Sequence, residues 1–61
     1  MTATNQDKLD AVERELTLRR RVYPNRVACH RMSQAFADEQ IAIFEAIAAD
    51  YRQLAGAERL L

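Results

Sequence analysis

A single segment, residues 33–55, holds most of the large apolar side chains in the second half of this 61-residue chain. On a helix that advances by about 100° per residue, its apolar residues fall within one arc of about 160°. The arc contains Phe36, Ala37, Ile41, Ile43, Phe44, Ile47, Ala48, Tyr51, Leu54 and Ala55, with Gln40 as its one polar member. A helix that packs on one neighbour needs an apolar stripe of only about 100°. The arc is therefore wide enough to contact two neighbours.

The ends of this long helix are predicted from its flanking residues. Ser33 is a good N-cap, and Gly56 suits the left-handed residue that often follows a helix. The sequence therefore predicts a helix over residues 34–55. Its outer face carries small side chains. The favoured interpretation is that they reflect the high helix propensity of alanine, and the alternative is that they form a second interface where another helix approaches closely. These side chains are Ala35, Ala42, Ala46 and Ala49.

A second helix is predicted over residues 6–22. Thr4 or Asn5 can cap it, and Leu9, Val12 and Leu16 supply the helical spacing of an apolar face. Pro24 is expected to end it, because a proline disfavours the α conformation of the preceding residue. The same proline can begin a short helical turn, which we expect over residues 24–30.

No alternation typical of a strand occurs, so the predicted fold is all-α: an antiparallel two-helix hairpin with a short helical turn at its elbow. Tyr23, Val27 and Met32 are expected to fill the elbow. The chain is expected to be one small domain, 1–61. Residues 1–5 are expected to fray, and residues 57–61 either fray or form a last helical turn, with Leu60 and Leu61 offering an apolar end. A domain of this size is marginal alone, so we expect it to dimerise into a four-helix arrangement.

The charge is zero overall but uneven. Residues 1–31 carry seven basic and four acidic groups, and residues 32–61 carry two basic and five acidic groups, giving +3 and −3. In an antiparallel hairpin, Arg19 to Arg21 would approach Asp38 and Glu39, so that much of this asymmetry would be neutralised internally. The asymmetry equally favours antiparallel pairing of two subunits.

The sequence contains no pattern that predicts catalysis, a cofactor or a metal site. Cys29 and His30 are adjacent, which on a helix sets their side chains about 100° apart. A zinc site needs four ligands, and a cysteine nucleophile needs an oriented base. We therefore expect no enzyme. A lone cysteine suits a reducing compartment, and no signal peptide or membrane span is evident, so a cytoplasmic location is expected.

Two surfaces are candidates for binding. The expected oligomer or partner interface comprises Phe36, Gln40, Ile43, Phe44, Ile47, Tyr51 and Leu54. Within it, Gln40 either fixes the register of an oligomer or lies at the edge of the hairpin contact, and the two interpretations are equally favoured. Candidate phosphate contacts are Arg19, Arg20, Arg21, Arg26 and Arg31. These arginines are more simply explained as cations at a helix C-terminus.

A longer pattern resembles a family of small phage and prophage proteins. It comprises Val22-Tyr23-Pro24-Asn25-Arg26-Val27-Ala28, Met32-Ser33, Ala37-Asp38-Glu39-Gln40-Ile41 and Glu45-Ala46-Ile47, within residues 8–54. The family pattern has glycine where this chain has His30, a residue that accommodates left-handed geometry better than most. The resemblance implies a phage-encoded accessory protein in a bacterial host, and it implies no activity or functional residue.

The sequence therefore predicts a non-enzymatic protein–protein interaction module. It would act as a homo-oligomer, most simply a dimer, and would bind a bacterial host protein through a helical face. The alternative is a nucleic-acid accessory protein that uses Arg19 to Arg21 across a dimer. A neutral chain with an acidic second helix makes nucleic acid the less favoured partner.

Overall fold

The computed structural model describes residues 2–59, which form two α-helices joined by a short loop. Helix α1 spans Asn5–Ala28 and helix α2 spans Gln34–Arg59. No strand occurs within residues 2–59, and the all-α hairpin predicted from the sequence is confirmed. The prediction of an apolar end at Leu60 and Leu61 lies outside the described residues.

The two helices run antiparallel and are in contact along their whole length. Near the free ends, a guanidinium nitrogen of Arg59 donates to Oε1 of Gln6 over 2.6 Å. Closer to the loop, Arg20 forms an ion pair with Glu45 over 3.4 Å. The first contact joins the start of α1 to the end of α2 and the second joins their interiors, as an antiparallel pair requires.

Both helix starts are capped by the hydroxyl residues that the sequence indicates. At α1, the backbone N–H of Asp7 donates to the Thr4 hydroxyl, and the backbone N–H of Thr4 donates to the Asp7 carboxylate, each over 3.0 Å. This reciprocal pair is a capping box. At α2, the backbone N–H of Phe36 donates to the Ser33 hydroxyl over 3.1 Å. The predicted caps are therefore confirmed.

The prediction that Pro24 ends the first helix is wrong. Helix α1 continues through Pro24 to Ala28, and no separate helical turn follows. The proline removes the hydrogen bond to the carbonyl of Arg20, which typically costs about 3 kcal/mol. Packing on α2 favours the continued helix, because Tyr23 and Val27 are half-buried on either side of the exposed proline ring. Tertiary contact thus outweighs the local preference.

Helix α1 ends in a Schellman motif centred on His30. The backbone N–H of Arg31 donates to the carbonyl of Arg26 over 2.9 Å, and that of His30 donates to the carbonyl of Val27 over 3.1 Å. His30 has a φ of 58°, the left-handed conformation that this motif requires. The elbow therefore uses histidine where glycine is the usual residue.

The predicted end of the second helix at residue 55 is also wrong. Helix α2 continues through Gly56 to Arg59, and Gly56 does not have a positive φ. A glycine inside a helix lowers its stability without forcing it to end. Contacts of the last turn with α1, including the one between Arg59 and Gln6, favour the longer helix.

The seam between the helices joins large side chains of α1 to small side chains of α2. Leu9 and Leu16 are each 6% exposed on the α1 side, and Ala37, Ala48 and Ala55 are 2–3% exposed on the α2 side. Leu16 and Ala48 line the same stretch of the seam. Small residues allow the two backbones to approach closely. As a result, α2 uses the alanine edge of its apolar arc against α1, and Phe36, Ile43 and Leu54 lie outside the seam.

The elbow is filled as expected, since Tyr23, Val27 and Met32 are all half-buried. Arg20 lies near Asp38, as predicted, since both line a groove beside the elbow. Its ion pair, however, is with Glu45, and the carboxylate of Asp38 accepts a hydrogen bond from the Gln34 amide over 2.8 Å.

Candidate interaction surface

One face of α2 is apolar and uncovered. Phe36, Ile43 and Leu54 are 45–48% exposed, although all three are large apolar side chains on a regular helix. These three residues form a row with the half-buried Gln40 and Ile47 and the exposed Asp50. Along this row, spacings of four and three residues alternate. Residues at this spacing share one helix face. We call this row, Phe36, Gln40, Ile43, Ile47, Asp50 and Leu54, the α2 stripe.

Phe44 and Tyr51, which were predicted in the same interface, lie at its junction with α1. The guanidinium carbon of Arg19 is 4.1 Å from the ring centroid of Phe44. The ammonium nitrogen of Lys8 is 5.6 Å from the ring centroid of Tyr51. Both aromatic rings are half-buried. The hairpin itself therefore uses these two rings, and the uncovered apolar surface is narrower than predicted.

Leu18 on α1 was not among the predicted interface residues, yet it is 47% exposed. It lines a shallow groove together with Glu15, Arg19, Val22, Tyr23 and Arg26. By their helical spacing, Leu18 and Val22 widen the apolar face of α1 that Leu9, Val12 and Leu16 define. Their exposure depends on where α2 lies, which the periodicity of α1 alone does not give.

The five predicted phosphate-contact arginines do not converge on one site. Arg19 lies on Phe44 and bonds to the Glu15 carboxylate, and this hydrogen bond is the main cause that raises the pKa of the Arg19 guanidinium. Arg20 pairs with Glu45. Because Phe44 and Glu45 are consecutive, they point about 100° apart on α2, so Arg19 and Arg20 reach different edges of the seam.

The remaining arginines of that set, Arg21, Arg26 and Arg31, are exposed. Arg21 and Arg14 lie beside Asp10 and Glu13 on the outer surface of α1. This surface therefore carries both signs of charge, rather than the uniformly positive field that phosphate binding favours.

Cys29 and His30 belong to the helix terminus. Cys29 is the C-cap of α1 and is exposed, and His30 supplies the left-handed backbone of the Schellman motif. Within residues 2–59, no group of three His, Cys, Asp or Glu side chains is placed to hold a metal ion. The structure thus gives both residues a local role in ending α1.

The outer alanines, Ala35, Ala42, Ala46 and Ala49, are exposed and take no part in the seam. Neither of the two helices in the described part of the chain is long and apolar enough to cross a membrane.

The shape of the hairpin leaves a large area uncovered. Its extents are 47 × 21 × 14 Å, so it is a single layer of two helices. Its accessible surface is 4763 Å². A compact monomer of 7.0 kDa would expose about 4,000 Å². The excess of about 700 Å² approaches the area that one partner buries in a standard interface, about 800 Å².

Comparison with protein-family models, with curated proteins and with solved structures found no match to this chain.

Proposed function

We propose that this protein is a non-enzymatic helical interaction module that binds other protein chains through the α2 stripe. It acts as a homo-oligomer, and its second type of partner is a bacterial protein, as the resemblance to small phage proteins implies. The single observation that carries the proposal is the exposure of Phe36, Ile43 and Leu54 along one face of a helix.

Physical reasoning about apolar surface supports this proposal. Singly exposed apolar residues are common on protein surfaces, but contiguous apolar patches usually mark interaction sites. Here the three side chains lie on one face, and the half-buried Ile47 joins them into a row. The layer is one helix thick, so no further element of residues 2–59 covers the row. Another chain would have to cover it.

The two kinds of partner would use the same surface in turn. A target helix with an apolar face of similar spacing could replace one copy of this protein on the α2 stripe, as helix-in-groove recognition does. Self-association would then protect the stripe until a target is bound. Phage origin and a host target remain part of the proposal, and they rest on the motif resemblance.

Affinity capture from a bacterial lysate, with and without nuclease, tests the proposal. Three baits are compared: the natural chain, Ile43→Asp, which places a charge in the stripe, and Ala42→Asp, which places the same charge on the exposed outer face. A stoichiometric protein that survives nuclease, and that Ile43→Asp alone fails to retain, would support the interaction module.

Two other outcomes would contradict parts of the proposal. If everything captured is lost after nuclease treatment, the arginines contact nucleic acid and the interaction-module assignment is wrong. If only an untagged copy of this chain is recovered, the protein is a self-assembling structural element and does not act on a host protein.

A further inference from the structure

The α2 stripe is symmetric about its own centre. Its six positions are spaced four, three, four, three and four residues apart, so the pattern reads the same in both directions about Glu45. Under this reversal Phe36 corresponds to Leu54, and Ile43 corresponds to Ile47. The remaining two positions, Gln40 and Asp50, correspond to each other.

We propose that the occupant of the stripe is a second copy of this chain, with the two α2 helices antiparallel about a two-fold axis at the level of Glu45. This pairing specifies the geometry of the self-association in the proposed function, and it rests on that self-association. Phe36 then packs against Leu54 of the partner subunit, and Ile43 against the partner's Ile47. The Gln40 amide donates to the carboxylate of the partner's Asp50, and the axis repeats each contact once.

Symmetry favours this arrangement. A two-fold interface requires that when one residue contacts a second across the axis, the second also contacts the first. The stripe meets this requirement without any shift along the helix. Large apolar residues face large apolar residues, and each polar residue faces a polar one. Alternating spacings of four and three residues are common to all such helix rows, so it is the match of residue types across the centre that favours a second copy.

Charge disfavours the parallel alternative. Parallel pairing of two α2 helices would place Asp50 against the partner's Asp50 and leave two carboxylates facing each other at the seam. Antiparallel pairing separates them and gives each carboxylate an amide donor. It also opposes the two helix dipoles, which favours antiparallel neighbours. Polar residues at seam positions commonly set the register and orientation of paired helices.

The elongated hairpin leaves surface exposed for a partner. It exposes about 700 Å² more than a compact monomer of its mass, spread over the whole chain, and one partner in a standard interface buries about 800 Å². Within one chain, Gln40 and Asp50 are ten residues apart, which places them about 15 Å apart on the helix. Any energetic coupling between them must therefore arise between two chains.

A charge-swap series measured by sedimentation equilibrium tests the pairing. Gln40→Glu places a carboxylate opposite the partner's Asp50 at two symmetric sites, and we expect the dimer Kd to rise about tenfold. Gln53→Glu adds the same charge to the exposed outer face and should leave the Kd unchanged. The double variant Gln40→Glu with Asp50→Lys should restore dimerisation, since opposite charges then face each other.

Cysteine cross-linking measures the orientation directly. In a Cys29→Ser background, a mixture of Phe36→Cys and Leu54→Cys chains should form the mixed disulfide dimer on mild oxidation. Chains carrying Phe36→Cys alone should form little, because their two thiols would lie about 27 Å apart along the antiparallel seam. Circular dichroism of each variant establishes that the helices remain folded.

The outcomes separate the two levels of the proposal. A dimer whose Kd does not change in the Gln40 variants, or that forms a disulfide between two Phe36→Cys chains, would overturn the antiparallel pairing and leave self-association intact. A natural chain that stays monomeric at every concentration would overturn both the pairing and the homo-oligomeric function.

Discussion

Replacing Gly56 with alanine should stabilise this protein. Gly56 lies inside α2 without a positive φ, and a Cβ added there would meet no atom within 4 Å. Alanine therefore fits the existing backbone and the available space. In a helix interior, alanine is more stable than glycine by about 0.8–1.0 kcal/mol. Because Gly56 lies in the last turn, where helices fray, we expect about 0.5–1 kcal/mol.

Thermal unfolding followed by circular dichroism measures this effect. For a chain of this length, about 0.5–1 kcal/mol corresponds to a rise in Tm of about 2–8 °C. All samples need the same protein concentration, because association shifts Tm by mass action. The matched control is Ala57→Gly at the neighbouring exposed position, which should lower the free energy of unfolding by a similar amount.

The opposite sign would refute the continuous helix. If Gly56 ended α2 in a left-handed conformation, as the sequence alone predicts, a Cβ there would be strained by about 1–2 kcal/mol. Gly56→Ala would then lower the Tm, and Ala57→Gly would have little effect because residue 57 would lie outside the helix.

The other positions with a clear physical argument concern the helix ends and the seam. His30→Gly should raise the free energy of unfolding in urea by about 1 kcal/mol, because glycine adopts the left-handed conformation without strain; a loss of stability would argue against the Schellman motif. Ser33→Ala should lower the free energy of unfolding by about 1 kcal/mol, and Ser33→Asp should lower it little, because aspartate also caps helices well. Equal losses of stability in the two variants would exclude a capping role for Ser33. Ala48→Leu should lower the free energy of unfolding by about 1–3 kcal/mol through overpacking of the seam, whereas Ala42→Leu on the exposed face should change it by less than about 0.5 kcal/mol. A larger loss from Ala42→Leu would mean that the outer alanines form the tighter interface.

The sequence was most informative where the structure is decided locally. Thr4 and Ser33 were recognisable as caps because a hydroxyl side chain satisfies backbone N–H groups only two or three residues away. The apolar period of each helix was equally visible, and it was enough to predict an all-α hairpin. These features are determined within each helix and do not depend on where the other helix packs.

The predicted helix ends at Pro24 and Gly56 are wrong for a common physical reason. Both residues have strong local preferences, and each sits in a helix that gains contacts with its neighbour by continuing. Half-buried Tyr23 and Val27 flank the proline, and Arg59 beyond the glycine reaches Gln6. Local propensities of about 1–3 kcal/mol are readily outweighed by such packing.

The exposed surface could be predicted only in part. The 160° arc showed that α2 has more apolar surface than one neighbour covers, but it did not show which edge faces α1. The alanine edge allows closer approach and takes the seam, with Ala48 at 2% exposure. Phe44 and Tyr51 therefore belong to the hairpin, and Phe36, Ile43 and Leu54 remain outside.

Sedimentation equilibrium of the natural chain over a wide dilution range tests the central claim most directly. We predict a particle of twice the 7.0 kDa chain mass at micromolar concentration that dissociates on dilution. We also predict that Ile43→Asp gives a monomer under conditions in which Ala42→Asp still dimerises. A natural chain that remains a folded 7.0 kDa monomer at every concentration would contradict the account.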